Sequence, residues 1–360
     1  MLRALLLLLS LLAVPLPALG QVPTAVAAAL EDGPYVLWQG QQAEVLRVRE
    51  GRLERSLHRG AFALELPGVA AEPLHLGPRP PVPAPAVLPL PAKLLAVSDP
   101  HGHFVPLVNL LRAHRVIDDR NRWTFGQGHL VVVGDVFDRG PKMTEILWLL
   151  RSLDVQAGRA GGRLHLLLGN HESMVLRGDL RYLHDTYRKL LQGPLALPMP
   201  VLYGPDSDMG RWLRTRPALL QLGPYLFVHG GISPGFIAKG FGIEQANALV
   251  RQGLDDRKAS EAVGFLMGGD GPLWYRGLVP QRRPFEDLPT TAVEDILKAL
   301  GVRALVIGHT PHTRLRVFHE GRVFAIDAGM LEGLPGEAWI CEGERLFRGM
   351  ADGSREPLAP

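Results

Sequence analysis

Asp99, His101, Asp135, Asn170, His229 and His309 offer carboxylate, imidazole and amide donors from widely separated parts of the chain. Such a mixed set suits borderline divalent ions such as manganese, iron or zinc, whereas calcium prefers an all-oxygen shell. Manganese is the first expectation, with iron and zinc as the other candidates. One carboxylate shared between two ions holds them about 3.5–4 Å apart, the spacing used in two-metal hydrolysis. Asp135 is the candidate bridge. We assign Asp99, His101 and Asp135 to one ion, and Asp135, Asn170, His229 and His309 to the other. A water between such ions loses its proton near neutral pH and becomes a nucleophile. Arg139 and Arg276 supply guanidinium forks for phosphate oxygens and for charge developing in the transition state. His171 adjoins a ligand but belongs to neither ion. It is the candidate general acid for a leaving oxygen, with Asp138 orienting it and keeping it protonated. This chemistry needs no covalent phosphoenzyme.

Taken singly, each of these residues is weak evidence, because a lone aspartate beyond a strand is usually a turn or capping residue. Their places relative to apolar runs carry the inference. Val131-Val132-Val133 reads as a buried strand that Gly134 ends, and Asp135, Asp138 and Arg139 follow at once. Residues 94–97 lead to Ser98-Asp99-Pro100-His101-Gly102, and residues 164–168 to Gly169-Asn170-His171-Glu172. Residues 225–228 lead to His229, residues 304–307 to Gly308-His309-Thr310, and residues 323–326 to Asp327, which can reach the same place. Helices are expected over 105–115 and 142–153, so strands and helices alternate as in an α/β fold. In open α/β sheets the carboxyl ends of the strands bind ligands. Residues 173–222 read as an irregular helical cap, with Tyr187 and Trp212 as packing aromatics. Arg276 lies in a polar segment, Gly271-Pro272-Leu273-Trp274-Tyr275-Arg276-Gly277.

The 360 residues allow a large domain with an accessory one. A net charge of +3 with no concentrated basic window gives no case for nucleic acid. Residues 1–20 read as a signal peptide: Met1-Leu2-Arg3, then an apolar run interrupted by Pro15 and Pro17, then Ala18-Leu19-Gly20. That run is too short and too broken for a good membrane span, and no cysteine follows it. Export to a bacterial periplasm is expected, with no stable membrane insertion after cleavage. The single Cys341 cannot form an internal disulfide and reads as a small buried hydrophobe. Residues 21–76 read as a small β-rich accessory region, and the proline-dense 77–91 as a semi-rigid connector. The catalytic domain is expected over 92–345, with a tail over 346–360.

Asp99-Pro100-His101-Gly102, Gly134-Asp135-Val136-Phe137-Asp138-Arg139-Gly140, Gly169-Asn170-His171-Glu172, His229-Gly230-Gly231 and Gly308-His309-Thr310 resemble the ordered signature of calcineurin-like metallophosphoesterases. More narrowly, the set is similar to the phosphoprotein phosphatases. The run from Gly169 through Ser173 to Tyr182, with Gly271–Arg276 and Ile326-Asp327-Ala328-Gly329-Met330, is similar to Shewanella-like protein phosphatases. Pro100 departs from the family's usual aliphatic residue and Phe137 from its usual valine. Neither removes a ligand, though Pro100 deletes a backbone donor. The resemblance implies a β-sandwich flanked by helices (α/β/β/α), two divalent ions at the residues assigned above, and a phosphorylated protein or peptide as substrate, with phosphotyrosine in view. A nucleotide or dinucleoside polyphosphate hydrolase is the alternative within the motif. A non-catalytic metal-binding scaffold is the alternative outside it, disfavoured because no ligand or acid is missing. His103, His165, His184, His312 and His319 match no motif and read as structural or exposed.

Overall fold

The computed structural model describes residues 30–256, 258–280 and 287–358, so the expected signal peptide at 1–20 lies outside the described residues. Strand Lys93–Val97 is buried at every position after its lysine. It pairs in parallel with His129–Val132, which pairs in parallel with Arg163–Leu166. Apolar residues on both faces are what a strand covered on both sides needs. Glu337–Glu342 runs antiparallel on the other edge of Lys93–Val97, followed by Arg345–Met350 and Arg355–Pro357, which completes a six-stranded sheet. A second six-stranded sheet follows the order Arg316–Phe318, Val323–Ala325, Ala304–Ile307, Tyr225–Val228, Leu219–Leu222 and Val87–Leu88.

The two-residue period of each strand divides its side chains between two cores. Leu94, Ala96, Val131 and Val133 meet Leu220, Phe227, Val306, Phe324 and Trp339 between the sheets. Leu95, Val97, Leu130 and Val132 face outward into a larger core with Leu107 and Leu111 of helix Phe104–Ala113 and Ile146 and Leu150 of helix Met143–Arg159. The sequence-based expectation of an α/β/β/α sandwich therefore holds. Among the described residues no helix is long and apolar enough to cross a membrane.

Three expectations change in detail. Residues 346–360 were expected to form a tail, but Arg345–Met350 and Arg355–Pro357 are strands of the first sheet. Leu346 is buried between the sheets, and Arg348 pairs with Glu337 and Glu356. Within the proline-dense 77–91, the proline-free Val87–Leu88 joins the edge of the second sheet beside Leu219–Leu222. Proline lacks the N–H a ladder requires, so pairing is confined to this gap. The helix expected to stop at residue 153 continues to Arg159, because Ala157 still faces the core, and the chain turns only at Gly161, φ 78°.

The N-terminal strands Asp32–Gln39, Gln42–Arg49 and Arg52–Arg59 form a meander. It packs into the same core as the sandwich helices, with Trp38, Leu46 and Val48 buried. Trp148 donates its indole N–H to the Pro34 carbonyl at 2.8 Å, and the Trp38 amide donates to the Asp206 carbonyl at 2.7 Å.

Candidate metal centre

The loops beyond the strands depart sharply from ordinary backbone. Asp99, His101, Asp135, Asp138, Arg139 and His309 all have positive φ, between 39° and 68°. Non-glycine residues rarely adopt this region, and clusters of them concentrate where a site requires it. Two glycines permit the close approach. Gly102 has φ 69°, and a Cβ there would lie 2.6 Å from the Gly140 carbonyl oxygen. Gly134 has φ 81°, and a Cβ would lie 2.7 Å from the Gly169 nitrogen. The first three catalytic-side loops are thus pressed backbone to backbone.

Asp135 stands at the centre. Its Oδ2 lies 3.1 Å from His229 Nε2, 3.7 Å from His101 Nε2 and 3.9 Å from His171 Nε2. Its Oδ1 accepts the His171 amide at 2.9 Å. Burial would raise this carboxyl, but His229 and His171 pull it well below the usual carboxylate range. His101 donates Nδ1–H to the Phe137 carbonyl at 2.8 Å, and His229 donates its own to the Val133 carbonyl at 2.7 Å. Those carbonyls fix the tautomer and leave both Nε2 atoms facing inward, as ligating histidines require. Asn170 Oδ1 is 2.9 Å from His229 Nε2. Asp99 Oδ1 is 3.9 Å from His101 Nε2, and the Asp99 carboxylate accepts the His309 amide at 3.0 Å.

His309 is buried, and its Nε2 has no hydrogen-bond partner among the described residues. A buried imidazole nitrogen left bare beside carboxylates is a polar group waiting for a ligand, since water is excluded and no protein donor replaces it. Two groups bring donor atoms within 4.8 Å of one another: His101, Asp135 and His171, and Asp135, His229 and His309. Both contain Asp135. The first group holds His171 where the sequence assigned Asp99. Asp99 Oδ1 also stands beside His101, 3.9 Å from its Nε2, so either residue can complete that group, and the residues fit two divalent ions flanking one carboxylate.

The structure also brings together the other side chains expected at the site. His171 Nδ1 lies 2.6 Å from Asp138 Oδ2, and both residues are buried. Burial opposes protonation of His171, but Asp135 and Asp138 raise its pKa above the ordinary value. Arg276 donates to the His309 carbonyl at 2.9 Å and to Thr310 Oγ1 at 3.3 Å, which lays its guanidinium along the same loop. Arg139 is exposed, with its guanidinium carbon 4.0 Å from the Tyr182 ring centroid. Asp327 is buried and accepts the Gly329 amide at 3.3 Å, and burial with the nearby Asp99 and Asp135 charges raises its carboxyl well above the usual carboxylate range. It adjoins the centre, as expected from its strand.

Glu172 received no role from the sequence, although it ends the Gly169–Glu172 motif. It is fully buried and accepts the amides of Asp135 at 2.9 Å, Val136 at 2.7 Å and Gly169 at 2.7 Å, with Phe137 at 3.4 Å. Burial and the Asp135 charge push its carboxyl up to about 7, against the pull of those amides. The signal that could have exposed it is its position three residues after the start of a helix, where a glutamate reaches back to orphan backbone donors. Here it reaches across to a second loop as well.

Mixed donors in two groups at the strand ends of an α/β/β/α sandwich define a dinuclear metallohydrolase. The profile of the calcineurin-like phosphoesterases matches residues 92–312, and the chain belongs to that family. An uncharacterised protein of Schizosaccharomyces pombe is 31% identical over 69% of this chain and 76% of its own length. Shewanella-like protein phosphatase 2 of Arabidopsis thaliana is 28% identical over 68% of this chain and 72% of its own. Among solved structures, the cold-active protein-tyrosine phosphatase of a psychrophilic Shewanella is 35% identical, covering 91% of this chain and 99% of that one, with a TM-score of 0.83.

Proposed function

We propose that this protein hydrolyses phosphate monoesters on proteins or peptides, with phosphotyrosine as the first substrate to test. The reading is carried by one observation: two donor groups share Asp135, and the buried His309 Nε2 has no hydrogen-bond partner among the described residues. The names of the similar proteins, a protein-tyrosine phosphatase and a Shewanella-like protein phosphatase, support the substrate class.

In this reading Asp99, His101 and Asp135 hold one ion, and Asp135, Asn170, His229 and His309 the other. When bound, two divalent ions supply Lewis-acid activation of water and neutralise charge on the phosphate. The chain's own residues do the rest. Arg139 and Arg276 grip the phosphate oxygens. His171 carries a proton at Nε2 for the leaving oxygen, while Asp138 accepts its Nδ1–H and fixes the ring. Manganese is the proposed resident metal.

Export belongs to the same proposal. Residues 1–20 have the form of a signal peptide, so the mature enzyme would begin after Gly20 in a periplasm. Cell fractionation, with mass measurement of the mature chain, tests that point. The function itself is tested by supplying apoprotein with manganese, iron or zinc and assaying phosphotyrosine and phosphoserine peptides beside dinucleoside polyphosphates. Turnover of phosphopeptides supports the proposal. Turnover of the polyphosphates alone would replace it.

A further inference from the structure

Tyr182 has been given no role, yet its ring stands beside both Arg139 and His171. The Arg139 guanidinium carbon lies 4.0 Å from the centroid of the Tyr182 ring. The His171 ring centroid is 5.3 Å away, tilted by 43°. The Arg139 amide also donates to the Tyr182 carbonyl at 3.1 Å, so backbone and ring hold the same pair.

The loop presenting Tyr182 is firmly built. Arg188 donates to the carbonyls of Leu180 at 2.8 Å, Arg181 at 3.2 Å and Leu183 at 3.1 Å. Asp179 receives a fork from Arg181 at 3.0 and 2.6 Å, which occupies that guanidinium and holds its carbon 5.9 Å from the Tyr182 ring centroid, farther out than that of Arg139. Despite this support, Tyr182 remains 37% exposed. A large aromatic ring is thus held in place at the mouth of the site without being used as core.

Arg139 explains the expense. It is exposed, and among the described residues its guanidinium has no ion-pair partner. A long, free arginine loses much of its phosphate affinity to the entropy of ordering its side chain. Stacking on an aromatic face removes that freedom while consuming none of the in-plane N–H donors. A carboxylate partner would order the arginine too, but would occupy the donors and oppose an anion.

We infer that Tyr182 is a positioning residue for phosphate: its ring holds the Arg139 guanidinium so that the N–H fork faces the metal centre. The inference rests on the phosphatase reading for its biological meaning, but it is tested by binding alone. Inorganic phosphate is titrated calorimetrically into metal-loaded protein for wild type, Tyr182→Phe, Tyr182→Ala, Arg139→Ala and the double variant. Tyr182→Phe keeps the ring and should bind phosphate within about twofold of wild type. Tyr182→Ala should weaken binding roughly three- to tenfold. In the Arg139→Ala background, Tyr182→Ala should cost nothing further, a coupling that general loosening of the loop would not produce. Melting curves of all four variants confirm folding. Equal losses from Tyr182→Ala in both backgrounds, or a loss from Tyr182→Phe as large as from Tyr182→Ala, would overturn the inference. Coupled binding without phosphopeptide turnover would leave Tyr182 in this role and refute the substrate reading instead.

Discussion

Glu172→Ala should damage the metal centre although the side chain is no ligand. The glutamate binds the amides of Asp135, Val136 and Gly169 at 2.9, 2.7 and 2.7 Å in a site without solvent. Removing it orphans three buried donors, each costing about 1–3 kcal/mol when left unmade. Partial relaxation gives a net loss on the order of 3–5 kcal/mol, in the range reserved for broken buried networks. The strain at Asp135, φ 54°, then has less to hold it. The melting midpoint of the apoprotein should fall by on the order of 10 °C, and manganese affinity measured by competition with a chelator should fall with it. Glu172→Gln keeps the volume and one acceptor but turns an amide group toward the donors, so it should be intermediate. A Glu172→Ala protein melting within about 2 °C of wild type and holding metal equally well would refute the reasoning.

Asp138→Asn keeps the shape beside His171 but weakens the hydrogen bond at 2.6 Å that fixes the ring and its proton. Steady-state assays should show kcat down about a hundredfold with KM little changed, the scale of general acid catalysis, and a greater loss on phosphoserine than on phosphotyrosine, because a phenolate leaves more readily. Gly134→Ala forces a Cβ to 2.7 Å from the Gly169 nitrogen at φ 81°; it should cost at least about 2 kcal/mol in urea unfolding and lower metal content. The part-buried Asp32 accepts hydrogen bonds from Tyr35 and from Thr144, the latter at 3.3 Å. Burial raises its carboxyl from the ordinary 3.8 to about 7. Between those values the folded protein holds a proton the unfolded chain has lost, so Asp32 favours folding below about pH 4, and that contribution fades as pH rises towards 7. Urea midpoints measured from pH 4 to 8 should show this decline in wild type and a flatter profile in Asp32→Asn.

The site was legible because its residues sit where apolar runs stop. Val131-Val132-Val133-Gly134 announces a strand end without any knowledge of the partner strands, and Asp135 follows at once. The α/β class followed from the same alternation, and the sandwich arrangement from the resemblance to calcineurin-like metallophosphoesterases. What could not be read depends on contacts between distant segments. Glu172 looks like an ordinary helix-start glutamate until the Asp135 loop is seen above it. Tyr182 has no pattern of its own, and its meaning lies in a stacked arginine forty-three residues upstream, a separation read directly from its number and that of Arg139. The strands Arg345–Met350 and Arg355–Pro357 were expected as a tail although they pair locally. Glu337–Glu342 and Arg345–Met350 form a hairpin with Glu342 opposite Arg345, and the turn at Gly343, φ 62°, was the signal that could have exposed it. The helix ending at Arg159 outran its expected stop at residue 153 because Ala157, one turn further on, is still buried.

The shared role of Asp135 is tested most directly by metal content. Wild-type protein and Asp135→Asn are loaded with manganese, desalted and analysed by elemental mass spectrometry, with circular dichroism to establish folding. Two ions per chain in wild type, and less than one in a folded Asp135→Asn with parallel loss of phosphatase activity, is the predicted result. A folded Asp135→Asn that keeps both ions and its activity would contradict it.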